Sequence, residues 1–171
     1  MITKWNFQTP TEEELHKRDK LASEMGLSPF VCLLLVQRGL STVEEVKKFF
    51  KPSLNDLHDP FLMPDMEKAV NRLNKALGNK EKILIYGDYD VDGTTAVSLV
   101  YKYLRPYSST LDFYIPDRYD EGYGISYKGI DYARENGITL VISLDCGIKA
   151  IEKIEYAKQL GIDFIICDHH M

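Results

Sequence analysis

The sequence predicts an α/β fold in which a parallel sheet has helices on both faces, preceded by a helical N-terminal segment. Three observations support this fold: four short runs are mostly apolar, segments with helical periodicity separate them, and polar motifs follow their ends. Strands that are apolar on both sides belong to sheets that are covered on both faces. The predicted strands are residues 82–86, 111–115, 139–144 and 163–167.

Residues 1–80 are predicted to be helical, and residues 81–171 to form the α/β part. The first helix has an N-cap followed by acids within residues 9–14, and Gly26 is its natural end. A second, apolar helical segment covers residues 28–39.

Two further helices are predicted before the first strand. Ser41 and Glu44 have the spacing of a capping box, and Pro52 ends the helix that this box starts. Asp65 is the expected N-cap of a helix that Gly78 stops. Beyond the first strand, helices are predicted over residues 94–104, 126–136 and 148–160.

The composition is that of a globular protein, with 44% hydrophobic and 27% charged residues. The N-terminus lacks a basic segment followed by an apolar stretch, and no apolar run is long enough to cross a bilayer. Three cysteines without CxxC spacing exclude a disulfide scaffold and indicate a reducing compartment. We therefore expect a cytoplasmic protein with no membrane partner.

The net charge of −5 is unevenly distributed. Residues 1–80 contain 12 basic and 11 acidic residues, whereas residues 81–171 contain 9 and 15. An acidic region argues against nucleic-acid binding, because phosphate contacts need cations. However, five of these acids stand at strand ends, and bound divalent cations would alter the sign of the local field. The five acids are Asp88, Asp90, Asp92, Asp145 and Asp168.

Three carboxylates at alternate positions, those of Asp88, Asp90 and Asp92, follow the first strand within the sequence GDYDVDG. Unpaired acids so close together repel one another, and a divalent metal with oxygen ligands, Mg²⁺ or Mn²⁺, removes this repulsion. A helix N-terminus with Asp92 as a simple N-cap explains one acid but not three. A calcium loop of the EF-hand type is excluded, because Leu99 stands where that loop needs Glu.

Further polar motifs follow the third and fourth strands. Asp145 stands at a strand-to-helix turn, where a lone Asp is more often a helix cap than a metal ligand. Cys146 is expected to be a small buried residue rather than a nucleophile. Asp168, His169 and His170 follow the fourth strand. Adjacent histidines on an extended chain point in different directions, so we expect one to bind metal and the other to face the substrate.

The loop after the second strand, residues 115–124, reads IPDRYDEGYG. Arg118 is suited to bind a phosphate with its guanidinium fork. Gly122, Tyr123 and Gly124 can present backbone or an aromatic face to a ligand. An ordinary surface loop is the alternative, and we favour that interpretation for its two aspartates.

Taken in order, GDYDVDG, SLDCG and the terminal DHH resemble the N-terminal half of the catalytic domain of the DHH phosphoesterases. The 115–124 loop and residues 57–69 (LHDPFLMPDMEKA) are similar to the RecJ-type branch, the single-strand-specific 5′ to 3′ exonucleases. The resemblance implies a metal-dependent phosphodiesterase that uses two Mn²⁺ or Mg²⁺ ions on single-stranded DNA in repair and recombination. Family members continue beyond the equivalent of Met171, so we expect a fragment that is inactive alone.

The resemblance also implies metal ligands. Asp90 and Asp92 match the paired ligands of the family, and Asp145 matches an acid that can bridge two ions. Some relatives have His where Tyr86 stands, which leaves one coordination position unassigned. Asp88 is the candidate to fill that position.

The DHH motif supplies the remaining residues of the implied site. Asp168 and His169 match further metal ligands, and His170 matches the position nearest the scissile phosphate. These three are therefore the expected catalytic residues. His170 and Arg118 would neutralise the phosphate in the transition state.

Three alternatives share parts of this pattern. A DHH-family oligonucleotide or nucleotide phosphatase, or a pyrophosphatase, would keep the fold and change the substrate. A non-catalytic DHH-fold scaffold would have lost its metals, against which the intact acids and histidines argue. A phosphoacceptor receiver domain also has acids at strand ends, but it gives no reason for Asp-His-His.

Overall fold

The structure is a computed structural model that describes residues 9–170. Residues 1–8 of the predicted helical segment, and residue 171, lie outside the described residues. The described chain divides between Asp59 and Pro60 into two compact units. The predicted domain boundary between residues 80 and 81 stays a prediction.

The N-terminal unit contains helices α1 (Glu12–Met25), α2 (Pro29–Gln37) and α3 (Val43–Phe50), followed by a 3₁₀ turn at Leu54–Asp56. Its core consists of five buried side chains: Leu21, Cys32, Leu35, Val36 and Val46.

The ends of α1 are those that the sequence predicts. The Thr11 hydroxyl accepts a hydrogen bond from the Glu14 N–H at 3.2 Å, and the Glu14 carboxylate accepts one from the Thr11 N–H at 2.7 Å. Gly26 ends the helix with a φ of +66°, a left-handed conformation that glycine adopts without strain.

The capping box of α3 is displaced by one residue from the predicted pair, Ser41 and Glu44. The Thr42 hydroxyl accepts from the Glu45 N–H at 3.2 Å, and the Glu45 carboxylate accepts from the Thr42 N–H at 3.0 Å. The same carboxylate also accepts from the Ser41 N–H at 2.8 Å. Two overlapping pairs have the required spacing, and Glu45 is the acid that reaches both amides.

The second unit is built on a parallel sheet. It contains α4 (Met66–Gly78), β1 (Ile83–Gly87), α5 (Val91–Leu104), β2 (Leu111–Tyr114), α6 (Tyr127–Glu135), β3 (Leu140–Leu144), α7 (Ile151–Gln159) and β4 (Asp163–Cys167). All paired strands are parallel, in the order β2-β1-β3-β4. Each predicted strand is present within one residue at either end.

Helices cover both faces of this sheet, which confirms the predicted fold class. On one face, Ile83 and Ile85 of β1 belong to a buried cluster with residues of α4 and α5. On the other face, Leu84 and Tyr86 of β1 belong to a cluster with residues of α6 and α7. Consecutive strand residues alternate between faces, so a strand packed on both sides must be apolar throughout.

One helix cap and two helix starts differ from the sequence prediction. Asp65 precedes α4 as predicted but has a φ of +58°, and its side chain caps no helical N–H. Helix α5 begins at Val91, three residues earlier than predicted, because Asp90 is its N-cap. Helix α7 begins at Ile151, three residues later, after a tight turn in which the Ala150 N–H bonds to the Gly147 carbonyl. No helix within residues 9–170 is both long and apolar enough to span a membrane.

Candidate active site

The parallel register brings three aspartates to one edge of the sheet. The last residues of β1, β3 and β4 are aligned with one another, and each is followed directly by an aspartate. These are Asp88, Asp145 and Asp168. The chain adds β2 on one side of β1 and then adds β3 and β4 on the other side. Open α/β sheets bind ligands at such a topological switch point, outside the carboxyl ends of the strands.

Asp88 is a buried carboxylate with one unpartnered oxygen. Its side chain is 1% exposed, and Oδ1 accepts a hydrogen bond from the Gly124 N–H at 3.3 Å. Oδ2 is buried and has no hydrogen-bond partner among the described residues. A buried unpaired carboxylate oxygen is costly, and a cation would offset that cost. The observation therefore fits a site built for a positive ligand.

Gly93 allows α5 to begin against the end of β1. A Cβ atom at this position would lie 2.5 Å from the carbonyl oxygen of Asp88, closer than two such atoms can approach. The glycine that follows the three acids is thus required by packing.

Asp90 and Asp92 lie at the start of α5. Asp90 is the N-cap, and its Oδ1 accepts a hydrogen bond from the Gly93 N–H at 2.9 Å. The capping role considered for Asp92 therefore belongs to Asp90. Asp92 is exposed in the first turn of the helix, and its carboxylate makes no hydrogen bond or ion pair within residues 9–170.

Cys146 is inaccessible, as the sequence predicts. Its side chain is fully buried. Burial, and then the negative charges of Asp88, Asp168, Asp145 and Asp90, raise the pKa of the thiol to about 12. The thiol is therefore protonated and unreactive.

Asp145 has a strained backbone at the switch point. Its φ is +61°, in the left-handed region that costs a non-glycine residue about 1 kcal/mol or more. It does not cap α7, whose N-cap is Ala150. Oδ1 instead lies 3.1 Å from Nε2 of His169. Strain of this kind concentrates at functional sites, which favours a ligand-binding role for Asp145 over a capping role.

Asp168 organises the turn that follows β4. Its carboxylate accepts hydrogen bonds from the N–H groups of Ile148, His169 and His170, at 3.0, 2.7 and 3.1 Å. Oδ1 also lies 2.7 Å from Nδ1 of His170. Burial by itself would raise the pKa of Asp168, but these hydrogen bonds outweigh it and hold the pKa at about 2. The carboxylate is thus ionised and held on several sides.

The two histidines lie side by side. Their ring centroids are 4.5 Å apart, and the ring planes are inclined by 31°. The expectation that adjacent histidines point in different directions is wrong here, because both backbone N–H groups bend towards the Asp168 carboxylate. One ligand atom each from Asp145, His169 and His170 falls within 4.8 Å of the others, a group that could hold a metal ion. Hydrogen bonding to Asp168 raises the pKa of His170.

The 115–124 loop contributes Tyr123 and Gly124 to this site. The Tyr123 hydroxyl lies 3.2 Å from the carbonyl oxygen of Asp145 and 3.2 Å from Nδ1 of His170. Tyr123, Gly124 and His170 line a cavity of about 380 Å³ that also includes Lys149. Gly122 precedes Tyr123 with a φ of +78°, so its role is in the shape of the loop.

Arg118 lies at the border of the site rather than within it. Its guanidinium carbon is 5.3 Å from the centre of the Tyr89 ring, and that ring meets Tyr123 edge to face at 6.5 Å. The two aspartates of the loop behave as ordinary loop residues: Asp117 accepts two backbone N–H bonds, and Asp120 pairs with Lys128.

Sequence reasoning missed two residues that hold the loop. Glu121 accepts hydrogen bonds from the Tyr114 hydroxyl, the Ser126 hydroxyl and the Asp117 N–H. Tyr86, 1% exposed, donates to the carbonyl of Gly124 at 3.0 Å and accepts from the Ser126 N–H at 3.0 Å. A tyrosine in an otherwise aliphatic buried strand was the available signal, since a buried hydroxyl needs partners.

Comparison with known proteins identifies the class to which this site belongs. Residues 82–171 match the DHH family, N-terminal domain, and the chain belongs to that family. Over 98% of its length, the chain is 40% identical to the single-stranded-DNA-specific exonuclease RecJ of Bacillus subtilis, and over 85% it is 33% identical to that of Escherichia coli. The chain spans 21% and 25% of the length of these two relatives.

Two solved structures share the fold. A crystal structure of exonuclease RecJ bound to manganese matches 64% of this chain and 29% of its own, with a TM-score of 0.58 at 29% identity. A second, RecJ in complex with Mn²⁺ from Thermus thermophilus, matches 92% of this chain and 21% of its own, with a TM-score of 0.68 at 22% identity. The second match shows the fold alone.

Proposed function

We propose that this chain is the metal-binding part of a single-stranded-DNA-specific 5′ to 3′ exonuclease that hydrolyses phosphodiester bonds in DNA repair and recombination. The observation that carries the proposal is the convergence of Asp88, Asp145 and the Asp-His-His turn at the switch point of the sheet. The names of the relatives support the choice of substrate. Divalent ions bound here would activate a water molecule and stabilise the leaving oxygen of an in-line displacement.

Two divalent ions, Mn²⁺ or Mg²⁺, are the proposed cofactors. Asp145 and His169, whose ligand atoms are 3.1 Å apart, are assigned to one ion. Asp90 and Asp92 at the start of α5 are assigned to the other, with Asp145 between the two. The unpartnered oxygen of Asp88 supplies further negative charge. Hard oxygen ligands with one or two imidazoles suit Mn²⁺, which the two solved relatives contain.

Asp168 serves the site mainly by holding its neighbours. It accepts hydrogen bonds from the backbone N–H groups of His169 and His170, and these bonds set the direction of both rings. Its ionised carboxylate also fixes the proton of His170 on Nδ1, because a carboxylate only accepts hydrogen bonds. The direct metal contact first expected for Asp168 would have to share oxygens that already accept these bonds.

His170 and Arg118 are the proposed phosphate contacts. With Nδ1 of His170 directed at Asp168, Nε2 is the nitrogen that remains for a phosphate oxygen. Arg118 is exposed, and its stacking on Tyr89 leaves the N–H groups at the edge of the guanidinium available for bidentate phosphate binding. Both groups would stabilise charge that develops on the phosphate in the transition state.

The test is the substitution Asp145→Asn in the full-length protein, assayed on a 5′-labelled single strand with Mn²⁺. We expect kcat/KM to fall by about 10³-fold, equivalent to about 4 kcal/mol. The matched control is Asp131→Asn on α6, where an amide oxygen can still accept the hydrogen bond of the Tyr156 hydroxyl. Control activity within about threefold of wild type is expected. A variant at position 145 that keeps activity within tenfold would refute the assignment.

Two further measurements separate the alternatives. Long single strands and dinucleotides are offered to the wild-type protein, and faster hydrolysis of dinucleotides would favour an oligonucleotide phosphatase. Calorimetric titration with Mn²⁺ that shows no binding would favour a non-catalytic scaffold. We also place the protein in the cytoplasm, a proposal supported by the three free cysteines, Cys32, Cys146 and Cys167.

A further inference from the structure

Tyr123 makes contacts that a substrate-facing aromatic ring does not explain. Its hydroxyl reaches the Asp145 carbonyl and Nδ1 of His170, both at 3.2 Å. Its ring also meets the ring of His170 edge to face, with centroids 5.9 Å apart at an angle of 84°. One side chain of the loop therefore touches the turns that follow both β3 and β4.

The chemistry of Nδ1 defines these contacts. Oδ1 of Asp168 is 2.7 Å from Nδ1 of His170 and only accepts, so Nδ1 carries a proton. The Tyr123 hydroxyl then donates its own proton to the Asp145 carbonyl and offers a lone pair to the same N–H. Nδ1 of His170 is thus enclosed between a carboxylate and a phenol, and Nε2 is left for a ligand.

The loop holds Tyr123 firmly in this place. The next residue, Gly124, donates to Asp88 at 3.3 Å and accepts from the Tyr86 hydroxyl at 3.0 Å. Glycines with φ of +78° and +80° flank Tyr123 on both sides. Because larger residues rarely adopt these angles, the loop conformation that directs Tyr123 at His170 depends on both glycines.

Tyr123 also contacts the residue on which Arg118 rests. The Tyr89 ring meets the Tyr123 ring edge to face at 6.5 Å, and Arg118 lies over the Tyr89 ring at 5.3 Å. A guanidinium on an aromatic face is restrained by cation–π attraction. Tyr123 is thus connected to both proposed phosphate contacts, to His170 directly and to Arg118 through Tyr89.

We propose that Tyr123 is a positioning residue for phosphodiester hydrolysis: its hydroxyl fixes the ring of His170, and its ring supports Tyr89 beneath Arg118. The inference rests on the proposed function and assigns to Tyr123 a task different from stacking on a base. It predicts that the hydroxyl and the ring affect different kinetic constants. The hydroxyl acts through His170 on the transition state, whereas the ring acts through Arg118 on substrate binding.

The first experiment separates these two tasks in the full-length protein with Mn²⁺. Tyr123→Phe keeps the ring, and we expect kcat to fall by about 10- to 50-fold with KM within twofold of wild type. Tyr123→Leu also removes the ring, and we expect an additional rise in KM of about fivefold. The control is Tyr103→Phe on α5, an exposed tyrosine whose hydroxyl makes no hydrogen bond in the described part of the chain.

The second experiment tests whether Tyr123 acts through His170. In a His170→Gln background, we expect Tyr123→Phe to change kcat by less than about twofold, because the interaction partner is already absent. If Tyr123→Phe lowers kcat by the same factor in the His170→Gln background as in wild type, Tyr123 and His170 act independently and the proposal is overturned. Activity of the Phe variant within twofold of wild type would overturn it as well.

A spectroscopic measurement separates failure of this inference from failure of the proposed function. In the metal-free protein, ¹⁵N chemical shifts of neutral His170 should report the tautomer with the proton on Nδ1. A proton on Nε2 would overturn the positioning argument even if nuclease activity is found. Mn²⁺ affinity, measured by calorimetry, should be unchanged in Tyr123→Phe, whereas absence of Mn²⁺ binding by the wild-type protein would refute the proposed function itself.

Discussion

The charged side chains at the two ends of the parallel sheet differ in how completely they are paired. At the amino end, Arg72 of α4 donates to Asp163 at 2.6 Å and to Glu81 at 2.8 Å, and Glu81 also accepts from the Thr139 hydroxyl at 2.7 Å. Nη1 of Arg72 is the one nitrogen of this group that is buried without a partner among the described residues. Each carboxylate of this group is paired with a cation, and the contacts join α4, β4 and the segment before β1.

At the carboxyl end, one buried carboxylate oxygen and one strained backbone are left uncompensated. Asp88 keeps a buried oxygen without a partner, and Asp145 keeps a left-handed backbone. The negative charges of Asp88, Asp168, Asp145 and Asp90 all raise the pKa of the Cys146 thiol. The amino end thus pairs its charges within the fold, whereas the carboxyl end keeps the unpartnered charge and backbone strain that are typical of functional sites.

The largest expected effect is at Asp90, which both caps α5 and is a proposed metal ligand. Asp90→Ser keeps a good N-cap and removes the carboxylate. In the full-length protein with Mn²⁺, we expect kcat/KM on single strands to fall by about 10³-fold while Tm changes by less than about 2 °C. Thr42→Ser, a cap exchange in the N-terminal unit, should change neither quantity.

The outcome at Asp90 decides between its two roles. Near wild-type activity of the Ser variant would mean that Asp90 is a cap and nothing more, and the metal site would then lose one proposed ligand. If Tm and activity both fall strongly, the substitution has damaged the helix, and the loss of activity does not report on the metal site.

Much of the fold follows from the sequence because burial on two faces leaves a clear pattern. All four strands lie within one residue of their predicted bounds, since each is a mostly apolar run that polar or turn-forming residues flank. Helix starts were less predictable. The start of α7 depends on where the 147–150 turn ends, and the capping box of α3 depends on which of two glutamates reaches back, so local spacing alone could not decide either.

The site was predictable in its acids and histidines but not in its internal contacts. The motifs placed Asp88, Asp145 and Asp168 at strand ends, and the register then brought them together. Long-range hydrogen bonds, such as that of Tyr86 with Gly124 across 38 residues, leave no periodic trace in a sequence. The side-by-side arrangement of His169 and His170 likewise arises from one carboxylate that turns the backbone.

The next effect in size is at the amino end. Arg72→Met removes the cation that Glu81 and Asp163 share and keeps most of the side-chain volume. Partly buried ion pairs lie between exposed and fully buried ones, so we expect a loss of about 2 kcal/mol in the free energy of unfolding. Thermal unfolding of the 171-residue chain should show a Tm lower by about 4–8 °C.

The same variant tests how separate the two ends are. Mn²⁺ affinity of Arg72→Met, measured by calorimetry below its Tm, should equal that of wild type within about threefold, because the substitution lies at the opposite end of the strands. A loss of metal binding without unfolding would show that the two ends of the sheet are coupled rather than independent.

A smaller effect of opposite sign is expected at Asp88. Asp88→Asn replaces a buried, unpartnered carboxylate oxygen with a neutral amide and keeps an acceptor for the Gly124 N–H. We expect the metal-free chain to gain about 1 kcal/mol in urea unfolding, because an uncharged group costs less to bury. Asp163→Asn, the same exchange at the amino end, should lose about 0.5 kcal/mol with its Arg72 contact. Destabilisation by both variants would contradict the claim that the buried carboxylate of Asp88 is costly to the fold.

The smallest effect concerns the pH dependence of the amino end. Hydrogen bonding from Arg72, and then from Thr139, lowers the pKa of Glu81 below its usual 4.5. A carboxyl whose pKa is lower in the folded state stabilises the protein above its unfolded pKa, and this stabilisation is lost as pH falls through the lowered value. Glu81→Gln should therefore cost about 0.5–1 kcal/mol at pH 7 in urea unfolding of the 171-residue chain, and the difference from wild type should shrink below pH 4.5. Glu135→Gln, an exposed exchange on α6, should show no difference at either pH. Because Arg72 stays charged throughout this range, a difference that persists unchanged in acid would mean that Glu81 acts through packing rather than through its charge.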